Sequence, residues 1–130
     1  MRVQIATKGA YRYPDIVIYC GEPEFADDQF DTLLNPIVLV EVLSDTSQKR
    51  DMGTKLQEYT QIDSLQEYLI VEQDKMRVYH YTRDEEKGWR INFIEGEKAM
   101  LNLASIDYQI TLEDLYEGVK FDDNPESDAD

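Results

Sequence analysis

Two apolar runs stand out in the first third of the chain. Residues 15–20 and 37–43 are rich in Ile, Val and Leu, which favours β-strands. The second run is the most apolar in the chain and predicts a central strand buried on both faces. Each run contains one carboxylate, Asp15 in the first and Glu41 in the second. Because an ionisable group is rarely buried in an apolar strand without a function or a partner, Glu41 is the strongest single signal.

A polar segment with helical spacing follows the second run. The pattern predicts a helix over residues 47–60. Leu56, Tyr59 and Met52 form the predicted buried stripe of this helix. Lys55 lies in the middle of this segment.

The second half of the chain alternates between apolar and polar positions. Residues 67–72, 77–81 and 89–94 predict three antiparallel strands joined by turns. Residues 111–116 begin with a threonine suited to capping and predict a short helix. The order of strands, helix, strands and helix predicts an α/β (α+β) fold, with a mixed central sheet and a helix packed on it.

Length and charge narrow the class of protein. A chain of 130 residues is long enough for one domain with a core, which we place at residues 1–121. Residues 122–130 are acidic and predict a disordered tail. The net charge of −15 weighs against a broad basic face for nucleic acid. It is compatible with an enzyme that reaches phosphate through a metal ion and a few lysines.

The single cysteine and the termini suggest where the protein works. Cys20 cannot form an internal disulfide, which fits a reducing cytoplasm. There is no apolar run of about 18 residues for a membrane span, and the N-terminus lacks the features of a signal peptide. We interpret Cys20 as a small buried side chain, and His80 as a surface or packing residue rather than a base.

The two carboxylates are expected to meet if their strands are antiparallel neighbours. Cys20 then lies opposite Pro36, and the same register places Asp15 opposite Glu41 on one side of the sheet. Two such charges roughly 5 Å apart repel by about 3 kcal/mol at an effective dielectric constant of about 20. Either one carboxyl is protonated or a cation lies between them, and a divalent ion such as Mg²⁺ suits two carboxylates. Lys55, if directed to the same place, would offset part of the charge.

Each of these residues also has a structural interpretation. Asp15 follows a proline and could be a turn residue at the start of a strand. Glu41 could be a buried acid satisfied by backbone N–H groups or by an arginine. Lys55 could be an exposed helix lysine paired with Asp51 or Glu58.

Five short motifs are distinctive when taken as a set. They are Tyr13-Pro14-Asp15, Asn35-Pro36, Val40-Glu41-Val42-Leu43-Ser44, Lys55-Leu56-Gln57-Glu58-Tyr59 and Glu67-Tyr68-Leu69-Ile70-Val71, and Asp51 accompanies them. With them the chain resembles, over roughly residues 11–82, the Uma2-like family described as putative restriction endonucleases. That family is abundant in cyanobacteria and belongs to the PD-(D/E)xK nuclease superfamily.

The resemblance implies a metal-dependent endonuclease, a hydrolase acting on DNA. Asp15 and Glu41 would bind Mg²⁺ (or Mn²⁺), joined by the backbone carbonyl of Val42. The superfamily places its lysine two residues after the second acid, where this chain has Leu43. The resemblance implies that Lys55, on the following helix, takes that role. Water activated by the metal would then attack a DNA phosphate.

The short lead-in before the first carboxylate departs from the family pattern. Family members usually carry several dozen residues before the Pro-Asp motif, whereas 14 residues precede Asp15. We therefore expect a truncated member with an exposed sheet edge, which favours a homodimer or a higher homo-oligomer. The alternative function is a catalytically inactive nuclease-like fold that acts as an oligomeric or regulatory binding module.

Overall fold

The computed structural model describes residues 2–4, 11–12, 14–25, 32–43, 52–84, 86 and 88–118. The predicted acidic tail, Asp51 and the first residues of the predicted helix lie outside these ranges. Within the described part of the chain, no helix is long and apolar enough to cross a membrane.

A mixed sheet of five strands forms the centre of the fold, in the order β3-β5-β6-β7-β8. The strands are β3 (Ile16–Ile18), β5 (Val38–Leu43), β6 (Glu67–Glu72), β7 (Arg77–Asp84) and β8 (Gly88–Glu95). β5 and β6 are parallel, and the other neighbours are antiparallel. The α+β class, the mixed sheet and the antiparallel meander of β6, β7 and β8 are therefore as predicted.

The remaining elements are short. Two small sheets flank the centre, one ordered β2-β1-β4 and one formed by the antiparallel pair β9 and β10. Their strands are β1 (Arg2–Gln4), β2 (Tyr11–Arg12), β4 (Thr32–Leu33), β9 (Met100–Leu103) and β10 (Tyr108–Thr111). The helices are α1 (Met52–Tyr59), α2 (Leu112–Leu115) and a 3₁₀ turn (Ala104–Ile106). Thr111 caps α2 as predicted, since its side chain accepts a hydrogen bond from the N–H of Asp114.

The register between β3 and β5 is the one predicted. Ile16 lies opposite Val40 and Ile18 lies opposite Val38. The ladder stops at Ile16, so Asp15 sits in a bend just outside the strand. Pro14 precedes Asp15 and has no N–H to donate, which explains why the strand does not extend further.

The central sheet separates two cores. We call the side covered by α1 the helix face, and the side covered by β9, β10 and α2 the hairpin face. The buried core of the helix face comprises Val3, Leu33, Leu39, Leu43, Tyr59, Ile62, Leu65, Tyr68 and Ile70. The buried core of the hairpin face comprises Val38, Val40, Leu69, Val78, Leu101, Leu103, Leu112 and Tyr116. Because side chains alternate along a strand, neighbours in β5 and β6 contribute to opposite cores.

The interpretation of Cys20 as a buried side chain was wrong. Cys20 is exposed, because it lies beyond the end of β3, where the chain leaves the sheet. Of the two interpretations of His80, the packing residue fits, since His80 is buried and bonded to a buried carboxylate, Glu67, at 2.6 Å.

Candidate active site

Glu41 lies in the middle of β5 and points to the helix face, with 6% of its surface exposed. The hydroxyl of Tyr59 donates to Oε1 at 2.8 Å. The hydroxyl of Tyr68 donates to Oε2 at 3.0 Å, and Nζ of Lys55 lies 3.3 Å from the same oxygen. This buried acid is therefore held by three donors from α1 and β6.

Helix α1 explains how Lys55 reaches the sheet. Lys55 and Tyr59 are four residues apart, so they share the helix face that lies over Glu41. The position two residues after Glu41 holds Leu43, which is buried in the core of the helix face. The structure thus brings a lysine from the helix to the carboxylate of the strand. Asp51 and Glu58 were the alternative partners considered for Lys55, and Asp51 lies outside the described residues.

Asp15 lies beside the same strand but makes a different contact. Its side chain is exposed, and Oδ2 accepts a hydrogen bond from the backbone N–H of Val42 at 2.7 Å. The carboxylate thus occupies the place that a further residue of β3 would take in the ladder. Since the N–H and C=O of one strand residue point to the same neighbour, the carbonyl of Val42 also faces the side of Asp15.

A small cavity of about 120 Å³ opens beside Asp15. It is lined by Pro14, Asp15, Val17, Tyr19 and Leu33. A cavity of this size holds several water molecules. Glu41 and Lys55 are not among these lining residues, so the cavity is space beside Asp15 alone.

Repulsion between Asp15 and Glu41 does not by itself require a metal ion, because protein groups bind both carboxylates. We expected either a protonated carboxyl or a cation between Asp15 and Glu41. The structure instead gives Glu41 two hydroxyls and an ammonium group, and gives Asp15 a backbone N–H. Burial and the charge of Glu41 in turn raise the pKa of Tyr68, which keeps this tyrosine a hydrogen-bond donor.

The oxygen donors nonetheless suit a hard divalent ion. Mg²⁺ is usually held by one or two carboxylates, with water and substrate phosphate completing its shell. Among the described residues there is no cluster of three or more His, Cys, Asp or Glu side chains that could hold a metal. An ion at this place would therefore rest on Asp15, Glu41 and the carbonyl of Val42, completed by water or phosphate.

Sequence reasoning missed the two tyrosines. Tyr59 was assigned only to the buried stripe of the helix, and Tyr68 to strand filling. The spacing of Tyr59, one helical turn after Lys55, was a usable signal. The contact of Tyr68 with Glu41 joins two parallel strands 27 residues apart, and no local pattern reports it.

Glu67 is a second buried acid, on the hairpin face of β6. It bonds Nε2 of His80 at 2.6 Å and accepts from the backbone N–H of Ser105 at 3.1 Å. The hydroxyl of Ser105 also donates to it. Burial opposes its ionisation, but the hydrogen bonds from His80 and Ser105 outweigh burial and lower the pKa of Glu67.

Comparison with known proteins gives one matching family model and two similar proteins from a cyanobacterium. The model of the Uma2 family, described as "putative restriction endonuclease", matches residues 1–113. The uncharacterized protein sll1609 of Synechocystis sp. is 35% identical over 104 residues, which are 80% of this chain and 59% of that protein. The uncharacterized protein slr1290 of the same organism is 29% identical over 122 residues, which are 93% of this chain and 62% of that protein.

A solved structure shares the fold. It is the crystal structure of a putative nuclease belonging to DUF820 from Anabaena variabilis, with a TM-score of 0.53 and 18% identity. The match covers 68% of this chain and 48% of the other. The chain thus spans about 60% of the two Synechocystis relatives and about half of the Anabaena protein. Because the family model covers most of the chain, this protein belongs to the Uma2 family.

Proposed function

We propose that this protein is a divalent-metal-dependent endonuclease that hydrolyses phosphodiester bonds of DNA. The observation that carries the proposal is the ion pair of Lys55 with the buried Glu41, at 3.3 Å, one residue from the backbone group that binds Asp15. The description of the family as putative restriction endonucleases supports the same reaction class.

In this proposal each residue has a separate task. Asp15, Glu41 and the carbonyl of Val42 would hold Mg²⁺ or Mn²⁺. The ion, when bound, supplies the Lewis acidity that turns water into a nucleophile at neutral pH. Lys55 is 32% exposed at its side chain, so its ammonium can reach from Glu41 to a phosphate oxygen and stabilise developing negative charge.

The overall step is a hydrolysis. The water oxygen bonds to phosphorus, the bond from phosphorus to the leaving sugar oxygen breaks, and that oxygen takes up a proton. Because the chain carries a net charge of −15, its attraction for DNA must come from the ion and from local groups such as Lys55.

Nicking of supercoiled plasmid in Mg²⁺ or Mn²⁺ tests this proposal. We expect the wild type to nick and Glu41→Ala to lose the activity. Glu97→Ala, which removes an exposed acid far along the chain, serves as the control and should nick like the wild type. Equal rates for the wild type and Glu41→Ala would refute the endonuclease proposal.

A second candidate is an inactive nuclease-like binding module. The observation in its favour is that both carboxylate oxygens of Glu41 already contact protein groups. This candidate predicts no thermal stabilisation by Mg²⁺ or Mn²⁺, whereas an ion bound to the folded state stabilises it by RT ln(1 + [L]/Kd). A metal-induced rise in melting temperature that Asp15→Asn abolishes would rule it out.

We also propose a cytoplasmic homo-oligomer, paired through the outer edge of β8. Among the described strands, β8 has a partner on one side only. Phe93 on this strand is 68% exposed and Ile91 is 40% exposed. Exposed apolar side chains on an edge strand favour pairing with another chain. Light scattering should give at least twice the monomer mass, and a monomeric mass at high concentration would contradict the assembly.

A further inference from the structure

Each oxygen of Glu41 accepts one hydrogen bond, and Oε2 has the ion pair with Lys55 in addition. An ionised carboxylate offers about four lone-pair directions, two on each oxygen. Oε2 accepts from Tyr68 and contacts Lys55, so both of its directions are taken. Oε1 accepts from Tyr59 alone among the described residues, which leaves one direction open.

The two tyrosines are held firmly. Both are fully buried, and their rings meet edge to face with centroids 5.0 Å apart. The ring of Tyr68 also stacks on that of Tyr81 at 5.8 Å. Because packed aromatic rings have few alternative rotamers, the hydroxyls cannot easily move away from Glu41.

An ion that approaches Glu41 therefore meets one available oxygen. Bidentate coordination needs a lone pair on each oxygen, and Oε2 has none to give while Tyr68 and Lys55 stay bound. Ca²⁺ takes six to eight oxygens and often uses carboxylates in bidentate fashion, whereas Mg²⁺ prefers octahedral coordination with single oxygens. The contacts of Glu41 would thus favour an ion that takes a single carboxylate oxygen.

We infer that Tyr59 and Tyr68 are positioning residues that restrict Glu41 to one-oxygen coordination and so make the site selective for Mg²⁺ or Mn²⁺ over Ca²⁺. The inference rests on the proposed function, because it requires an ion at Asp15 and Glu41. It assigns different tasks to the two hydroxyls. Tyr68 blocks the second oxygen, whereas Tyr59 orients the first.

The two tyrosines therefore differ in their expected mutant effects. Tyr68→Phe frees a lone pair on Oε2, which permits bidentate coordination. The ratio of the Ca²⁺ affinity to the Mg²⁺ affinity should then rise by about 10-fold or more, within the usual range for residues behind a metal ligand. Tyr59→Phe leaves Oε2 fully occupied, so both affinities should fall together while the ratio stays that of the wild type.

Calorimetric titration of the protein with Mg²⁺ and with Ca²⁺ measures this ratio without any activity assay. Tyr81→Phe is the matched control, since it removes a hydroxyl from a ring that stacks on Tyr68 but does not bond Glu41. Lys55→Met frees the same oxygen as Tyr68→Phe by another route, so it should raise the ratio too. This second variant keeps the inference testable if Tyr68→Phe does not fold.

The outcomes separate the inference from the proposed function. If the wild type binds neither ion, or if Asp15→Asn leaves binding unchanged, the proposed metal site fails and the inference fails with it. If the wild type binds Mg²⁺ through Asp15 but Tyr68→Phe and Lys55→Met keep the wild-type ratio, only the inference is overturned. A raised ratio in these two variants, with Tyr59→Phe and Tyr81→Phe unchanged in ratio, supports it.

Discussion

The two faces of the central sheet each bury a carboxylate that is bonded to protein groups. On the helix face, Glu41 is held by two tyrosine hydroxyls and a lysine. On the hairpin face, Glu67 is held by His80 and by two donors of Ser105. In burial and in number of partners the two acids are alike.

The surroundings of the two acids differ. Glu41 directly precedes Val42, whose backbone N–H binds the exposed carboxylate of Asp15. The partners of Glu67 come from β7 and from the 3₁₀ turn, which ties the C-terminal hairpin to the sheet. A buried acid in a strand is therefore no sign of function by itself. What distinguishes a functional acid is whether the residues around it leave space for a ligand to reach it.

The largest expected difference between the two faces is the effect on nicking of removing Lys55 from one face and the Ser105 hydroxyl from the other. If the helix face is the active site, Lys55→Met lowers the rate of plasmid nicking by about 10²-fold, as the loss of one charge-stabilising donor does in other enzymes. Ser105→Ala should leave the rate per folded molecule unchanged. Equal losses in the two variants would mean that the faces do not differ in function.

Glu67→Gln should show that the hairpin face contributes stability. The change removes the charge from a buried acid that three donors hold, so we expect a loss of about 1–3 kcal/mol in the free energy of unfolding at pH 7. Urea denaturation measures the loss. The exposed Glu97→Gln should lie within about 0.5 kcal/mol of the wild type.

The effect of Glu67 should depend on pH in a defined direction. Its pKa in the folded state lies below the ordinary value of 4.5. The ionised group therefore stabilises the fold above that value, and the contribution is lost as the pH falls through the folded-state pKa. The stability difference between the wild type and Glu67→Gln should be full near neutral pH and should shrink below pH 4.5. A difference that grows on acidification would contradict this assignment.

The smallest expected effect lies at the start of α2, which covers the hairpin face. Thr111→Ala removes the hydroxyl that accepts from the N–H of Asp114 and should cost about 1 kcal/mol of stability. Thr111→Ser keeps the cap and should remain close to the wild type. Since the cap is remote from Glu41, neither change should alter nicking by folded protein.

The strands of the central sheet, helix α1 and the pairing of β3 with β5 could be predicted from local pattern. Alternation and apolar runs indicate strands, and the register follows once the two strands are taken as antiparallel neighbours with Cys20 opposite Pro36. The parallel pairing of β1 with β4 is not visible in this way, because both strands are only two or three residues long.

The candidate site was predictable only in part. The likeness to a family pointed to Asp15, Glu41 and Lys55, and the structure places Lys55 against Glu41. The hydroxyls of Tyr59 and Tyr68 and the bond of Ser105 to Glu67 were not foreseen. These contacts join residues 18, 27 and 38 positions apart, so they depend on tertiary packing and not on spacing along the chain.

Crystals soaked in Mn²⁺ test the central claim most directly, because anomalous scattering locates the ion without reference to activity. The account predicts a peak in contact with Asp15 and with Oε1 of Glu41, while Tyr68 and Lys55 remain on Oε2. At saturating Mn²⁺, the absence of a peak at these two carboxylates would contradict it, wherever else on the surface ions were found.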